Sequence, residues 1–178
     1  QYCGIGHQNM LGKVRVVPSV DAAAVQAAPS AASKSASTSS AGGSVVDSAA
    51  VYARTCAGCH QGGGQGIPGV FPPLAGHVPA LLDADGGRRY LIDVALFGLA
   101  GPIDIGGQTY QGMMPAQSHL SDAELAAVLN HISTAWENAG MLPEGFSPYT
   151  AAEVAEHREQ RLSPTEVHAR RPQSAEQR

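Results

Sequence analysis

The chain has few aromatic residues, few charged residues and no long apolar run. Aromatic side chains make up 5% and charged side chains 15% of its 178 residues. No stretch approaches the roughly 20 apolar residues that a membrane-spanning helix needs. The net charge is −4 with histidine neutral, and no block rich in Lys and Arg predicts nucleic acid as a partner. The basic residues of "HARRPQSAEQR" alternate with polar ones and are typical of a solvated tail.

An initiator methionine and a secretory signal are also missing from the start of the chain. The sequence opens with "QYCGIGHQNM", which begins inside what looks like a motif. We therefore expect Gln1 not to be the natural start, and we expect any signal or membrane anchor to lie in a preceding part. The length allows one domain of ordinary size with tails.

Cysteine is scarce, and two of the three cysteines share one short run, "TCAGCHQGGGQG". Cys-x-x-Cys alone serves zinc, redox and haem sites, but a histidine directly after the second cysteine is the signature of c-type haem attachment. A redox pair would sit near a βαβ pattern, and a zinc site would need a second Cys/His pair; neither is visible. The run predicts covalent haem c, with thioethers from Cys56 and Cys59 and with His60 as an iron ligand.

A low-spin electron carrier needs a second axial ligand, and a methionine thioether there raises the reduction potential. In "YQGMMPAQ", Met114 is favoured because Pro115 follows it and stiffens the backbone that must hold the sulfur. Met113 is the neighbouring alternative. Three histidines could also ligate in principle and are interpreted as packing or surface residues: His77, His119 and His131.

Composition divides the chain into four parts. Residues 1–18 include "GKVRVVP", which predicts a strand. Residues 19–44 are nearly all Ala, Ser and Gly and predict a flexible linker. Residues 45–160 predict one helical domain, and residues 161–178 are expected to be a disordered tail.

Helical patterns within that domain cover "VVDSAAVYARTCAGCH", "GRRYLIDVALFGLAG", "LSDAELAAVLNHISTAW" and "AAEVAEHREQ". The third is the clearest, because Ser121 and Glu124 predict a capping box. The segments between them, "QGGGQGIPGVFPPLAGH" and "PIDIGGQTYQGMMPAQSH", are predicted to be loops.

Residues 46 to about 160 resemble a class I cytochrome c domain, an all-α fold whose helices surround one covalent haem. The resemblance is carried by "CAGCH", "FPPLAG", "GMMP" and "LSDAELAAVLNHI". It implies that Tyr52 packs the first helix on the last, with the small Ser48 at the crossing. Relatives often carry an aromatic residue where His131 stands.

The same resemblance assigns two roles beside the proximal histidine. The backbone carbonyl of Pro72, in "PPL", is implied to accept the Nδ1 proton of His60. Leu74 is implied to lie against the haem ring. Pro72 and Leu74 therefore join the expected cofactor-binding residues.

The first ten residues place Cys3, His7 and Met10 in the spacing Cys-x3-His-x2-Met, and these are ligand types that copper electron-transfer sites use. The stretch resembles the end of the CuA motif of subunit II of haem-copper oxidases, most of all the B-type. The residue matched by Gln1 gives a backbone carbonyl there. An upstream Cys and His of that motif are absent, so a dinuclear copper centre cannot form from Cys3 alone. Copper is therefore expected only in a full-length parent, where "GKVRVVP" would end the cupredoxin β-barrel.

Together these features predict electron transfer without bond-making catalysis by this chain. The favoured hypothesis is a cytochrome c domain fused to subunit II of a cytochrome c oxidase. Its electrons would come from a donor protein or a quinol–cytochrome c oxidoreductase and pass to CuA and the oxidase catalytic subunit. The alternatives are a free-standing periplasmic carrier for a dehydrogenase or other respiratory enzyme, and a haem peroxidase or gas sensor. The expected location is the periplasm or the outer face of the bacterial cytoplasmic membrane, with membrane contact only through a missing N-terminal part.

Overall fold

The computed structural model describes residues 46–172, which form helices around one β-hairpin. In chain order the elements are α1 (Ser48–Thr55), α2 (Ala57–His60), α3 (His77–Asp83), α4 (Gly87–Phe97), β1 (Leu99–Ile105), β2 (Gln108–Met114), α5 (Asp122–Thr134), a 3₁₀ helix (Asn138–Met141), α6 (Ala151–Arg158) and α7 (Pro164–Ala169). The four helical segments predicted from apolar spacing are confirmed, and the structure adds α3 and α7.

Side-chain caps fix where α1 and α5 begin. The Asp47 carboxylate accepts the backbone N–H of Ala50 at 3.0 Å and starts α1. At the start of α5, the Ser121 hydroxyl accepts the Glu124 N–H, and the Glu124 carboxylate accepts the Ser121 N–H at 3.0 Å. This is the predicted capping box. Each cap satisfies backbone donors that have no partner inside the helix.

Helix α1 packs across α5, and Tyr52 lies at the contact. Its ring is 3% exposed, with its centroid 5.2 Å from that of His131 and 5.0 Å from that of Trp136. The Tyr52 hydroxyl donates to the carbonyl of Gln61 at 2.6 Å. His131 therefore occupies an aromatic environment, and the hydroxyl ties α1 to the loop that follows the Cys-x-x-Cys-His run.

The all-α expectation is corrected by the hairpin. Strands β1 and β2 pair antiparallel from Leu99 opposite Met114 to Ile105 opposite Gln108. Most of the hairpin lies in a segment that was predicted to be a loop, and residues 99–101 lay at the end of the second helical pattern, where α4 stops at Phe97. One face buries alternate residues, Ile103 and Ile105, together with Tyr110, which is the period of a half-buried strand. The fold is thus mostly helical rather than all-α.

The expected disorder of residues 161–178 is wrong over α7. Ser163 and Glu166 form a second capping box, and Val167 is fully buried. The His168 ring nitrogen donates to the carbonyl of Pro102 at 2.6 Å, which fixes α7 against β1. The helix is stabilised by these tertiary contacts rather than by a long apolar stripe of its own.

A buried amide supports the segment between α2 and α3. Asn138 is completely buried, and its side-chain oxygen accepts the N–H of Gly76 at 2.8 Å. Its amide nitrogen donates to the carbonyls of Ile132 and Leu74, at 2.7 and 3.2 Å. One polar side chain therefore joins the end of α5 to the loop that carries Leu74.

Several predictions concern residues that lie outside 46–172, the part of the chain that the structure describes. These are the strand within 1–18, the linker at 19–44, the end of the tail at 173–178 and the copper-type residues Gln1, Cys3, His7 and Met10. Within residues 46–172, none of the helices combines the length and the apolar character needed to cross a bilayer.

Candidate haem-binding site

The Cys-x-x-Cys-His run forms a tight helical corner between α1 and α2. Cys56 ends α1, and the N–H groups of Cys59 and His60 both donate to its carbonyl, at 3.1 and 2.9 Å. Cys56 is half-buried, Cys59 is exposed, and His60 is only 7% exposed. The fold thus brings two thiols and an imidazole onto one short turn, with the imidazole turned inward.

The orientation of His60 is set by a backbone carbonyl. Its Nδ1 lies 2.9 Å from the carbonyl oxygen of Pro72, the contact that the resemblance implied. A carbonyl can only accept, so Nδ1 carries the proton and Nε2 keeps its lone pair. Burial lowers the pKa of His60, an effect that the Pro72 bond partly opposes. His60 is therefore neutral at pH 7, the form that binds a metal.

The two thiols differ in their environments. Burial raises the pKa of Cys56 to about 11, and the neighbouring Cys59 adds to the rise. Cys56 is therefore a protonated thiol at neutral pH. Neither thiol is in a disulfide, so both sulfurs are available for thioether bonds.

These residues border one large cavity with about 1260 Å³ of empty space, including the solvent at its mouth. Apolar side chains dominate its wall, and among the residues 46–172 none of those lining it is Asp or Glu. The members that the sequence predicted are Cys56, Cys59, His60, Pro72, Leu74 and Met114.

The two methionines at the end of β2 border the cavity differently. Met113 is 73% exposed, whereas Met114 is only partly exposed, because successive strand residues face opposite sides. Met114 pairs with Leu99 at the open end of the hairpin, and Pro115 follows it. This placement favours Met114 over Met113 as the sulfur that faces the interior. Of the alternative histidines, His77 lines the cavity, whereas His119 and His131 lie elsewhere.

Sequence reasoning missed several polar residues of this wall, among them His77, Tyr90 and Arg171. His77 had been interpreted as a packing or surface histidine, and Arg171 lay in the basic tail that was expected to be solvated. No local pattern identifies these residues, because they lie in α3, in α4 and in the segment that follows α7. Only the tertiary fold brings them together.

A glycine lies against the carbonyl that orients His60. Gly66 has φ +63°, and a Cβ atom there would lie 2.6 Å from the carbonyl oxygen of Pro72. Its N–H also donates to the carbonyl of His60 at 3.0 Å. The loop after α2 can therefore return beneath the imidazole only with glycine at this position.

The residues present fit a covalently attached haem. A thioether-linked haem needs an apolar cavity, two thiols on one turn, and a neutral imidazole whose Nε2 is free to bind iron. The cavity offers all three. The wall also includes the buried imidazole of His77. Neither of its ring nitrogens has a hydrogen-bond partner in the protein.

Comparison with known proteins agrees with this geometry. The sequence profile of the family described as cytochrome c matches residues 45–136. Cytochrome c-552 of Thermus thermophilus is 54% identical over 125 residues, which is 70% of this chain and 94% of that protein. The cytochrome c subunit of the quinone alcohol dehydrogenase of Gluconobacter oxydans is 36% identical over 97 residues, which is 54% of this chain and 20% of that subunit. The corresponding subunit of Komagataeibacter europaeus is 31% identical over 114 residues, or 64% and 23% of the two chains.

The Gly66 contact gives a stability prediction. Gly66→Ala should lower the free energy of unfolding by about 1–3 kcal/mol, because alanine is strained at positive φ and its methyl group would press on the Pro72 carbonyl. Urea unfolding followed by circular dichroism measures the change. Gly62→Ala is the matched control in the same loop, because a Cβ there meets nothing within 4 Å. Equal effects of the two substitutions would contradict the assigned role of Gly66.

Proposed function

This chain belongs to the cytochrome c family, and we propose that it is a one-electron carrier that serves a larger respiratory enzyme. Electron transfer through covalently bound haem c follows from the family. The axial ligands, the partner and the location are the proposed parts. The observation that carries the proposal is the neutral His60 held by Pro72 on the wall of the cavity that Met114 also lines.

Each residue of the site has a defined task in this proposal. Cys56 and Cys59 anchor the group through thioethers, and His60 offers Nε2 to the iron while Pro72 fixes its ring. Met114 would provide its thioether sulfur as the other ligand of that iron. When bound, haem c supplies an iron that alternates between ferric and ferrous states. The apolar wall excludes water from that iron.

The paired axial ligands favour a carrier over a haem peroxidase or gas sensor. Such proteins bind a small molecule at an open iron position. Here the chain provides a donor atom on α2 and another at the end of β2, and both residues line the same cavity. With His60 and Met114 both bound, no position is left for an exogenous ligand.

The similar proteins support a carrier for a respiratory enzyme. Residues aligned with this chain make up 94% of the Thermus cytochrome c-552, so the matched region corresponds to nearly a whole cytochrome. Other relatives are cytochrome subunits of a quinone alcohol dehydrogenase, which supports a dehydrogenase as one class of partner. These similarities favour the carrier over the oxidase fusion that the N-terminal motif had suggested first. We place the carrier in the periplasm or on the outer face of the bacterial cytoplasmic membrane.

The oxidase fusion remains a second candidate on one observation, the Cys3, His7 and Met10 spacing. The coding DNA upstream of the Gln1 codon tests it. We expect a fusion to show an open frame with a Cys four residues before Cys3 and a His farther upstream. A signal peptide or a stop codon directly before Gln1 would leave the carrier as the better reading.

The attachment assignment predicts the effect of losing both thiols. Cys56→Ser combined with Cys59→Ser should abolish covalent haem, because no thioether can form. Intact-protein mass spectrometry after acid–acetone extraction measures the retained haem. Cys3→Ser is the matched control and should keep the haem mass. Extraction of haem from the unmodified protein would refute the attachment.

The choice between the methionines gives a second test. Met114→Ala should keep haem attached but remove the far-red band of sulfur-ligated ferric haem and lower the reduction potential. The fall should be on the order of 100 mV, within the ~0.8 V range that axial ligands span. Met113→Ala, at the exposed neighbouring position, should change neither quantity. The reverse pattern would assign the ligand to Met113.

A further inference from the structure

Helix α7 and the segment after it lie against the edge of β1 that β2 does not occupy. The hairpin is a two-stranded sheet, so among the described residues β1 has a second edge without a strand partner. The His168 ring donates from Nε2 to the carbonyl of Pro102 at 2.6 Å, and Arg171 donates to the carbonyl of Asp104 at 3.3 Å. Alternate residues of a strand direct their backbone groups to the same edge. The C-terminal segment therefore covers that edge of β1.

The contact between α7 and β1 is close because residue 101 is a glycine. Gly101 has φ +142°, and a Cβ atom there would lie 2.6 Å from the ring of His168. A side chain at this position would push the ring away from the strand. Gly101 pairs with Gly112 across the hairpin, and two residues along the ladder Leu99 pairs with Met114. His168 therefore bears on the strand close to the position that holds Met114.

The main core anchors α7, so the helix can act as a fixed support for the hairpin. Val167, next to His168, is 0% exposed and belongs to the main hydrophobic core. Arg170 bonds the buried carboxylate of Asp93 in α4 at 3.2 Å. A two-stranded hairpin alone is only marginally stable, so the position of this one depends on what it packs against. Its own buried cluster is small and consists of Ile103, Ile105 and Tyr110.

Met114 is the last residue of β2, and the proposed function makes its sulfur an iron ligand. We propose that His168 is a positioning residue for Met114: it holds β1 in place, and β1 holds the strand end that carries the sulfur. Helix α7 lies beyond residue 136, where the match to the cytochrome c family ends. The support thus comes from outside the matched part of the chain. The proposal rests on the proposed function, because it presupposes that Met114 binds the iron.

Cyanide binding to the full ferric chain with attached haem tests this role. Cyanide can bind only after the bond between sulfur and iron breaks, because the position is otherwise occupied. His168→Phe keeps a ring beside Gly101 and removes the N–H donor. The rate of cyanide binding should then rise about fivefold, the effect of one lost hydrogen bond on a local opening. Stopped-flow absorbance measures the rate. His168→Gln retains an N–H donor and should restore part of the original behaviour.

Asn130→Ala is the matched control, because it also removes a side-chain donor from a backbone carbonyl. Asn130 in α5 donates to the carbonyl of Tyr149 at 3.0 Å, and neither residue belongs to the hairpin or to the cavity lining. This variant should lower stability to urea and leave the cyanide rate unchanged. Equal acceleration in Asn130→Ala and His168→Phe would reduce the effect to a general loss of stability and overturn the positioning role. An unchanged rate in His168→Phe would overturn it as well.

A second pair of variants approaches the same contact from the strand and keeps the test valid if His168→Phe does not fold. Gly101→Ala inserts a methyl group that would press on the His168 ring, so it should also accelerate cyanide binding. Gly106→Ala is its control, because Gly106 has a positive φ of +57° but a Cβ there meets nothing within 4 Å. Equal rates in these two variants would exclude the contact with α7 as a support for Met114.

Amide hydrogen exchange gives a readout that does not depend on the iron. The N–H groups of β2 should exchange faster in His168→Phe than in Asn130→Ala, because opening of the hairpin exposes them. Faster cyanide binding with unchanged exchange of β2 would overturn the hairpin as the link between α7 and the sulfur. Failure of the proposed function looks different. The unmodified protein would then lack the far-red band of sulfur-ligated ferric haem and would bind cyanide at the same rate as every variant.

Discussion

The hydrogen bond from His60 to the Pro72 carbonyl is the constraint on which the site depends. Its 2.9 Å length fixes the tautomer and the plane of a buried imidazole. Two neighbouring residues help to position the Pro72 carbonyl. Gly66 allows the loop to return beneath the ring, and Asn138 holds the carbonyl of Leu74, two residues beyond Pro72. Helix packing far from the ring therefore determines how that ring is oriented.

The α1–α5 contact also helps to position His60, through the residue that follows it. Tyr52 is buried between the helices, and its hydroxyl reaches the carbonyl of Gln61, directly after His60. Burial raises the pKa of Tyr52 to about 12, so this donor stays protonated at physiological pH. Helix packing and loop geometry are thus coupled through one phenol group.

The chemistry of the site was predictable from sequence, because it is encoded locally. The Cys-x-x-Cys-His run, the Pro72 segment and the Ser121 capping box each occupy a few neighbouring residues. The hairpin was missed because the alternation of Ile103 and Ile105 is short and runs into Gly106 and Gly107, which suggested a loop. Helix α7 and Arg171 depend on contacts with residues far away in the sequence, such as Pro102 and Asp104. Composition alone made that tail look solvated.

The late position of Arg171 in the chain has a consequence for biosynthesis. Chains emerge from the ribosome N-terminal end first, so the cysteine pair on α1 and α2 is delivered long before the segment after α7. The wall near His77 lacks its last member until almost the whole chain has been made. This side of the cavity is therefore complete only in a chain that has been synthesised as far as the segment after α7.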